Sequence, residues 1–199
     1  MDVLIRNHEL AVLIMPFESI RNGITKLKED AIVCNGNRQL EKYGGVSGAV
    51  FTAAGPGLVK YCAYLPGCDN GAAVVTPGFD FPAKYIIHTV GPHWGNGEVG
   101  EEEILRTCYR NVLNATRNNL CRTVAIPLIA SGLYGFPKPL AMRIATEEIN
   151  AFVGKHESMT VYLVVYGPEA FGLGKELQED IKEYITNDQY RDAVDLRIA

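Results

Sequence analysis

One unit constrains this chain more than any other feature, and it occurs twice: a short apolar run, a glycine-rich loop, then a stretch of helical character. The first copy runs from Ala31-Ile32-Val33-Cys34 to Tyr43-Gly44-Gly45-Val46-Ser47-Gly48 and into a helix. The second runs from Thr123-Val124-Ala125-Ile126-Pro127-Leu128-Ile129 to Ala130-Ser131-Gly132-Leu133-Tyr134-Gly135, followed by a helix over Pro139 to Val153. Short β-branched runs without polar alternation suit strands buried on both faces. Strands that alternate with helices build a mostly parallel sheet covered on both sides, and such sheets present ligand sites beyond the carboxyl ends of their strands. Both glycine loops fall at that edge.

The remaining elements follow the same alternation. Lys84 to Val90 reads as a strand stopped by Gly91-Pro92, and Thr160 to Tyr166 as a further strand. Between Glu101 and Leu120 apolar residues recur at Ile104, Leu105, Cys108, Tyr109, Val112 and Leu113, the spacing of an amphipathic helix. The small-residue segment Ser47 to Ala54 ends at the breaker Gly55-Pro56-Gly57, Pro77-Gly78 and Pro82 mark turns, and a last helix is expected from Lys175 to Ile185. A chain of 199 residues holds one substantial core. We read residues 15–186 as one domain, residues 1–14 as an N-terminal extension with weak strand character, and residues 187–199 as a polar tail.

Charge narrows the chemistry. A formal net charge of −4 and a pI of about 5.6 argue against a nucleic-acid binder that works by neutralising many phosphates. Neither glycine loop contains Lys or Arg, so any phosphate held there must be held by main-chain N–H groups. Glycine lets the backbone approach a bulky anion, and a helix N-terminus adds about half a positive charge. A shared diphosphate fits two such loops better than a polyanion does. Glycines after strands also serve tight turns and close helix packing, so the pair carries more weight than either loop alone.

No window reaches the roughly 18 consecutive apolar residues of a membrane span, the early run Leu10 to Met15 being broken by Pro16 and Glu18. The start lacks the basic n-region and cleavage site of a secretory signal, so a cytoplasmic location is expected. Cys34, Cys62, Cys68, Cys108 and Cys121 are odd in number and show no metal-ligand spacing; reduced thiols are expected, with no metal and no cofactor.

Single residues add detail. Asn37 carries an amide that both donates and accepts hydrogen bonds, which suits ribose hydroxyls. Tyr134 can pack on a sugar and Tyr166 can stack on an adenine, although aromatic residues more often belong to a core. A nucleophilic role for Cys34 is disfavoured because buried strand thiols are inert. His88, inside a strand, reads as a structural histidine, and Trp94, which follows His93 in a loop, either caps the site or covers the core.

Taken in order, Asp30-Ala31-Ile32-Val33-Cys34-Asn35-Gly36-Asn37, Gly44-Gly45-Val46-Ser47-Gly48-Ala49, Tyr85-Ile86-Ile87-His88-Thr89-Val90-Gly91-Pro92, Ile126 to Pro137 and Val161 to Tyr166 resemble the macrodomain family, above all its stand-alone bacterial members. The likeness spans about residues 17–184. It implies a three-layer α/β/α fold with a mostly parallel mixed sheet that binds ADP-ribose and, in many members, hydrolyses ADP-ribosyl esters. Carried over by position, Gly44, Gly45, Val46, Ser47 and Gly48 together with Ser131, Gly132, Leu133, Tyr134 and Gly135 would hold the diphosphate. Asn37 would orient the distal ribose and serve as the catalytic positioning residue, Tyr166 would meet the adenine, and Gly23 and Ile24 would lie beside the base. The implied partner is ADP-ribose or an ADP-ribosylated protein, with no nucleic acid or membrane and a monomeric state.

Three departures from the family pattern bear on activity. Gly23 stands where an aspartate usually accepts the adenine amino group. Cys34-Asn35-Gly36-Asn37 replaces Asn-Ala-Ala-Asn. Ser47 replaces the acidic residue that many hydrolytic members carry in the glycine loop. Two readings therefore stand: a slow, substrate-assisted hydrolase, or a non-catalytic reader of ADP-ribose or a related nucleotide.

Overall fold

The structure, a computed structural model, describes residues 17–20, 23–156 and 158–165. Six strands form one sheet in the order β1-β6-β5-β2-β4-β3: β1 Phe17–Ile20, β2 Ala31–Asn35, β3 Ala73–Pro77, β4 Tyr85–Thr89, β5 Thr123–Pro127 and β6 Thr160–Val164. All neighbouring pairs are parallel except β3 with β4, so the sheet is mixed by virtue of one edge strand. Three helices cover it: α1 Gly45–Cys62, α2 Glu101–Asn118 and α3 Lys138–Val153.

Strand alternation divides the core between the two faces. On β2, Ala31 and Val33 pack with α2 and α3 residues such as Leu105, Tyr109, Met142 and Ile149. Ile32 and Cys34 pack on the opposite face with Val50, Phe51, Ala54 and Leu58 of α1. This is the three-layer sandwich expected from the sequence. On its outer side, α2 is fastened to α3 by ion pairs of Arg106 with Glu147 and Glu148 at 2.6 and 2.9 Å, and of Arg110 with Glu148 at 2.8 Å.

Several expectations are corrected. The breaker Gly55-Pro56-Gly57 acts as expected, Gly55 with φ of 74° and ψ of −173° interrupting the helix, but a second helical segment follows it and runs to Cys62. Proline is tolerated at the start of a helical segment, where its missing N–H has no partner to lose, so Pro56 opens the second half of the helix instead of ending it. The strands β1 and β3 were not foreseen. Both lie at sheet edges, where one side needs no hydrogen bonds and Pro77 is tolerated. The helix expected over Lys175 to Ile185, the terminal segments 1–14 and 187–199, and Tyr166 lie outside the described residues.

Candidate functional site

β2 and β5 are neighbours and parallel, so both glycine loops emerge at the same carboxyl edge. Between them lies a cavity of about 250 Å³, walled by Asn35 and Gly36 at the end of β2, Tyr43 to Val46, Pro127 and Leu128 at the end of β5, Ser131 to Tyr134, and Lys138. Of the residues named from the sequence, Gly44, Gly45, Val46, Ser131, Gly132, Leu133 and Tyr134 stand in this wall.

The first loop runs directly into α1. Gly44 is the N-cap and Gly45, Val46 and Ser47 form the first turn, where N–H groups have no intrahelical carbonyl to pair with. Gly45 has φ of 63°, which strains any residue with a side chain and explains glycine there. The Ser47 hydroxyl does not face the cavity. It is fully buried, accepts from the Tyr43 N–H at 3.2 Å and donates to the Glu41 carbonyl at 3.2 Å, bracing the loop from beneath. Gly48 also serves packing, since a Cβ there would lie 2.6 Å from the Tyr43 carbonyl oxygen.

The second loop is built differently from the sequence expectation. α3 begins only at Lys138, with Phe136 buried between loop and helix, so its amides are not those of a helix N-terminus. It is instead tied to itself. The Gly135 N–H donates to the Gly132 carbonyl at 2.9 Å, the Phe136 N–H to the Ala130 carbonyl at 3.1 Å, and the Ser131 hydroxyl to the Leu128 carbonyl at 2.8 Å. Gly135 thus shapes the turn and stands outside the cavity wall. Tyr134 links the halves: its hydroxyl donates to the Gly36 carbonyl at 3.1 Å, and His93 stacks on its ring at 3.7 Å. Leu133 reaches over to Gly44, whose Cβ, if present, would lie 3.1 Å from its Cδ1.

Asn37 lies outside the cavity wall. Its Oδ1 accepts from the Glu41 N–H at 2.9 Å and its Nδ2 approaches the Glu41 carboxylate at 3.5 Å. Ile24 is buried in the α1-side core, within a 3₁₀ turn, and Gly23 precedes it with open space where a side chain would go. Six wall residues, Asn35, Gly36, Tyr43, Pro127, Leu128 and Lys138, lie outside the set of site residues expected from the sequence. Asn35 shares one short string with Asn37, and the end of β2 separates them: the strand stops at Asn35 and leaves Asn37 in the turn beyond it. Lys138 was missed because it follows the second loop by three residues. A cation in the first turn of a helix opposes the dipole, and that oddity marks it.

The titratable groups near the sheet are unreactive. Burial pushes the Cys34 thiol up to about 12, only partly countered by the Ser47 hydroxyl, so it is no nucleophile. Burial also pushes His88 down to about 4, and its ring meets Thr76 Oγ1 at 3.1 Å and the edge of Phe51, as befits a structural histidine. Trp94 packs edge-on against Phe136 and covers the core. No group of three or more His, Cys, Asp or Glu residues suited to a metal occurs among the described residues, and no helix among them is long and apolar enough to cross a membrane.

These features define a class, the α/β/α modules whose ligand cleft opens at the carboxyl edge of a parallel sheet. Comparison with known proteins narrows the class to a family. The model of the Macro domain matches residues 33–145. A macro domain-containing protein of Methanosarcina mazei is 47% identical over 74% of this chain and 79% of its own length. The O-acetyl-ADP-ribose deacetylase of Escherichia coli is 39% identical over 75% of this chain and 88% of its own. Among solved structures, the Oceanobacillus iheyensis macrodomain with ADP superposes with a TM-score of 0.80 at 32% identity, covering 85% of this chain and 93% of that one. The chain belongs to the macro domain family.

Proposed function

We propose that this protein binds ADP-ribose between its two glycine loops and slowly hydrolyses ADP-ribosyl esters, either ADP-ribosylated Asp or Glu side chains or O-acetyl-ADP-ribose. The observation that carries the reading is the cavity wall itself, in which two backbone turns converge and, among the described residues, Lys138 is the one cation. Unpaired first-turn N–H groups of Gly45, Val46 and Ser47 suit a diphosphate. Relatives named for acting on such compounds support it: the deacetylase above, and a human ADP-ribose glycohydrolase 38% identical over 89% of this chain, though over only 42% of its own length.

The catalytic step follows from what the wall lacks. None of its described residues is a carboxylate or an imidazole, so no described side chain of the wall supplies a general base. Water is then activated by the ligand's own phosphate, and the protein contributes position. Asn37 orients the distal ribose, exchanging its hydrogen bonds to Glu41 for the sugar. The adenine lies toward Gly23 and Ile24. A second reading, a reader without turnover, is favoured by the inward-turned Ser47 hydroxyl.

Calorimetry with ADP-ribose and a release assay separate the two. Excess enzyme incubated with a Glu-linked ADP-ribosylated protein and with O-acetyl-ADP-ribose should free ADP-ribose slowly, while an Arg-linked acceptor stays modified. Binding without any release would establish the reader, and absence of binding would overturn both.

A further inference from the structure

Asn35 is the last residue of β2 and the only side-chain amide among the described residues of the cavity wall. Its Oδ1 is buried and has no hydrogen-bond partner, the one such side-chain polar atom among the described residues. The strand explains its placement. Asn35 shares the face of Ala31 and Val33 and lines the cavity that Leu128 and Ser131 also line, while Cys34 is turned into the α1-side core. The family pattern has alanine at this position, which would fill the place without a polar atom.

A buried acceptor without a partner forfeits its hydration and receives nothing in exchange. A strand end at the floor of a cavity that keeps such an atom is arranged for a donor arriving from outside. The identity of that donor follows from ligand chemistry. Diphosphate oxygens at neutral pH carry no protons to give, so the phosphates held by the loops cannot satisfy Oδ1. Sugar hydroxyls can, and the neighbouring Nδ2 can donate in return to a sugar oxygen.

We propose that Asn35 is a specificity-determining residue, its Oδ1 accepting a hydrogen bond from a hydroxyl of the ribose beyond the diphosphate and thereby selecting ADP-ribose over ADP. This rests on the ADP-ribose reading above. It differs from the role of Asn37, whose Oδ1 must first leave the Glu41 N–H; Asn35 is prepared before the ligand arrives.

The test compares ADP and ADP-ribose by calorimetry for the intact protein, Asn35→Ala and Asn35→Asp, with melting curves of each ligand-free protein. Asn35→Ala removes an unpaired acceptor, so its melting temperature should not fall. Its affinity for ADP should stay within about twofold, and its affinity for ADP-ribose should drop about tenfold, the worth of one hydrogen bond to a buried partner. Asn35→Asp keeps the acceptor but sets a negative charge near the phosphates. It should weaken both ligands while preserving the ADP-ribose to ADP preference, and it carries the test if the alanine variant folds poorly. Equal weakening of ADP and ADP-ribose in Asn35→Ala, or no weakening of ADP-ribose, would overturn the proposal while leaving the function intact. An intact protein that binds neither compound would overturn the function, and this inference with it.

Discussion

The two glycine loops resemble each other in composition and differ in construction. The first opens a helix: its glycines stand at the N-cap and first turn of α1, so it offers unpaired amides and the positive end of a dipole. The second is a self-bonded turn separated from α3 by Phe136, with Ala130 held at φ of 62° and four internal hydrogen bonds fixing its course. One half supplies charge and the other supplies shape. A diphosphate gripped between them needs both, and substitutions should affect the halves in different ways.

The largest effect should come from Gly132→Glu. A side chain on Gly132 meets nothing within 4 Å and its backbone is not left-handed, so the fold should be untouched while a carboxylate enters the cavity. ADP-ribose affinity should fall at least about 100-fold, as expected when like charges meet in a partly desolvated site, with the melting temperature unchanged. The same substitution at Gly45 would be ambiguous, because φ of 63° strains any side chain there. Retained affinity in Gly132→Glu would remove the second loop from the grip.

Tyr134→Phe should come next. It removes the bond to the Gly36 carbonyl that ties the second loop to the end of β2. Unfolding in urea should show a loss of about 1 kcal/mol, and ADP and ADP-ribose should weaken together by about fivefold, one hydrogen bond's worth of loop positioning. If only stability changes, the halves are positioned independently.

The smallest effect should be a gain. Gly23 has φ of −79° and ψ of 121°, open to any residue, and no described residue comes within 4 Å of where its Cβ would be. Gly23→Asp should restore a carboxylate for the adenine amino group and tighten ADP-ribose by about fivefold or less. ADP should gain equally, because the base is common to both ligands. No change would place the adenine elsewhere.

Much of this architecture was legible in the sequence because its central strands are short, apolar and bounded by breakers. Ile32, Val33, Ile86, Ile87, Val124 and Ile126 are fully buried, and no polar alternation disguised them. The edge strands β1 and β3 escaped notice because an edge requires less of its residues: Glu18, Ser19 and Pro77 are compatible with pairing on one side only. The site was legible where main-chain geometry decides it, at Gly44 to Val46 and Ser131 to Tyr134. It was illegible where side-chain direction decides. Nothing in the string Asn35-Gly36-Asn37 states that the first residue lines the cavity and the last binds Glu41; the point where β2 ends, at Asn35, settles that. Likewise Ser47 looked like a weak replacement for an acid, and the structure turns its hydroxyl into a brace under the loop.

Amide hydrogen exchange tests the shared grip most directly. With saturating ADP-ribose, peptides covering residues 43–48 and 131–135 should slow together relative to the ligand-free protein if, as proposed, both turns donate N–H groups to one diphosphate. Bound ligand with both segments exchanging at their free rates would contradict it.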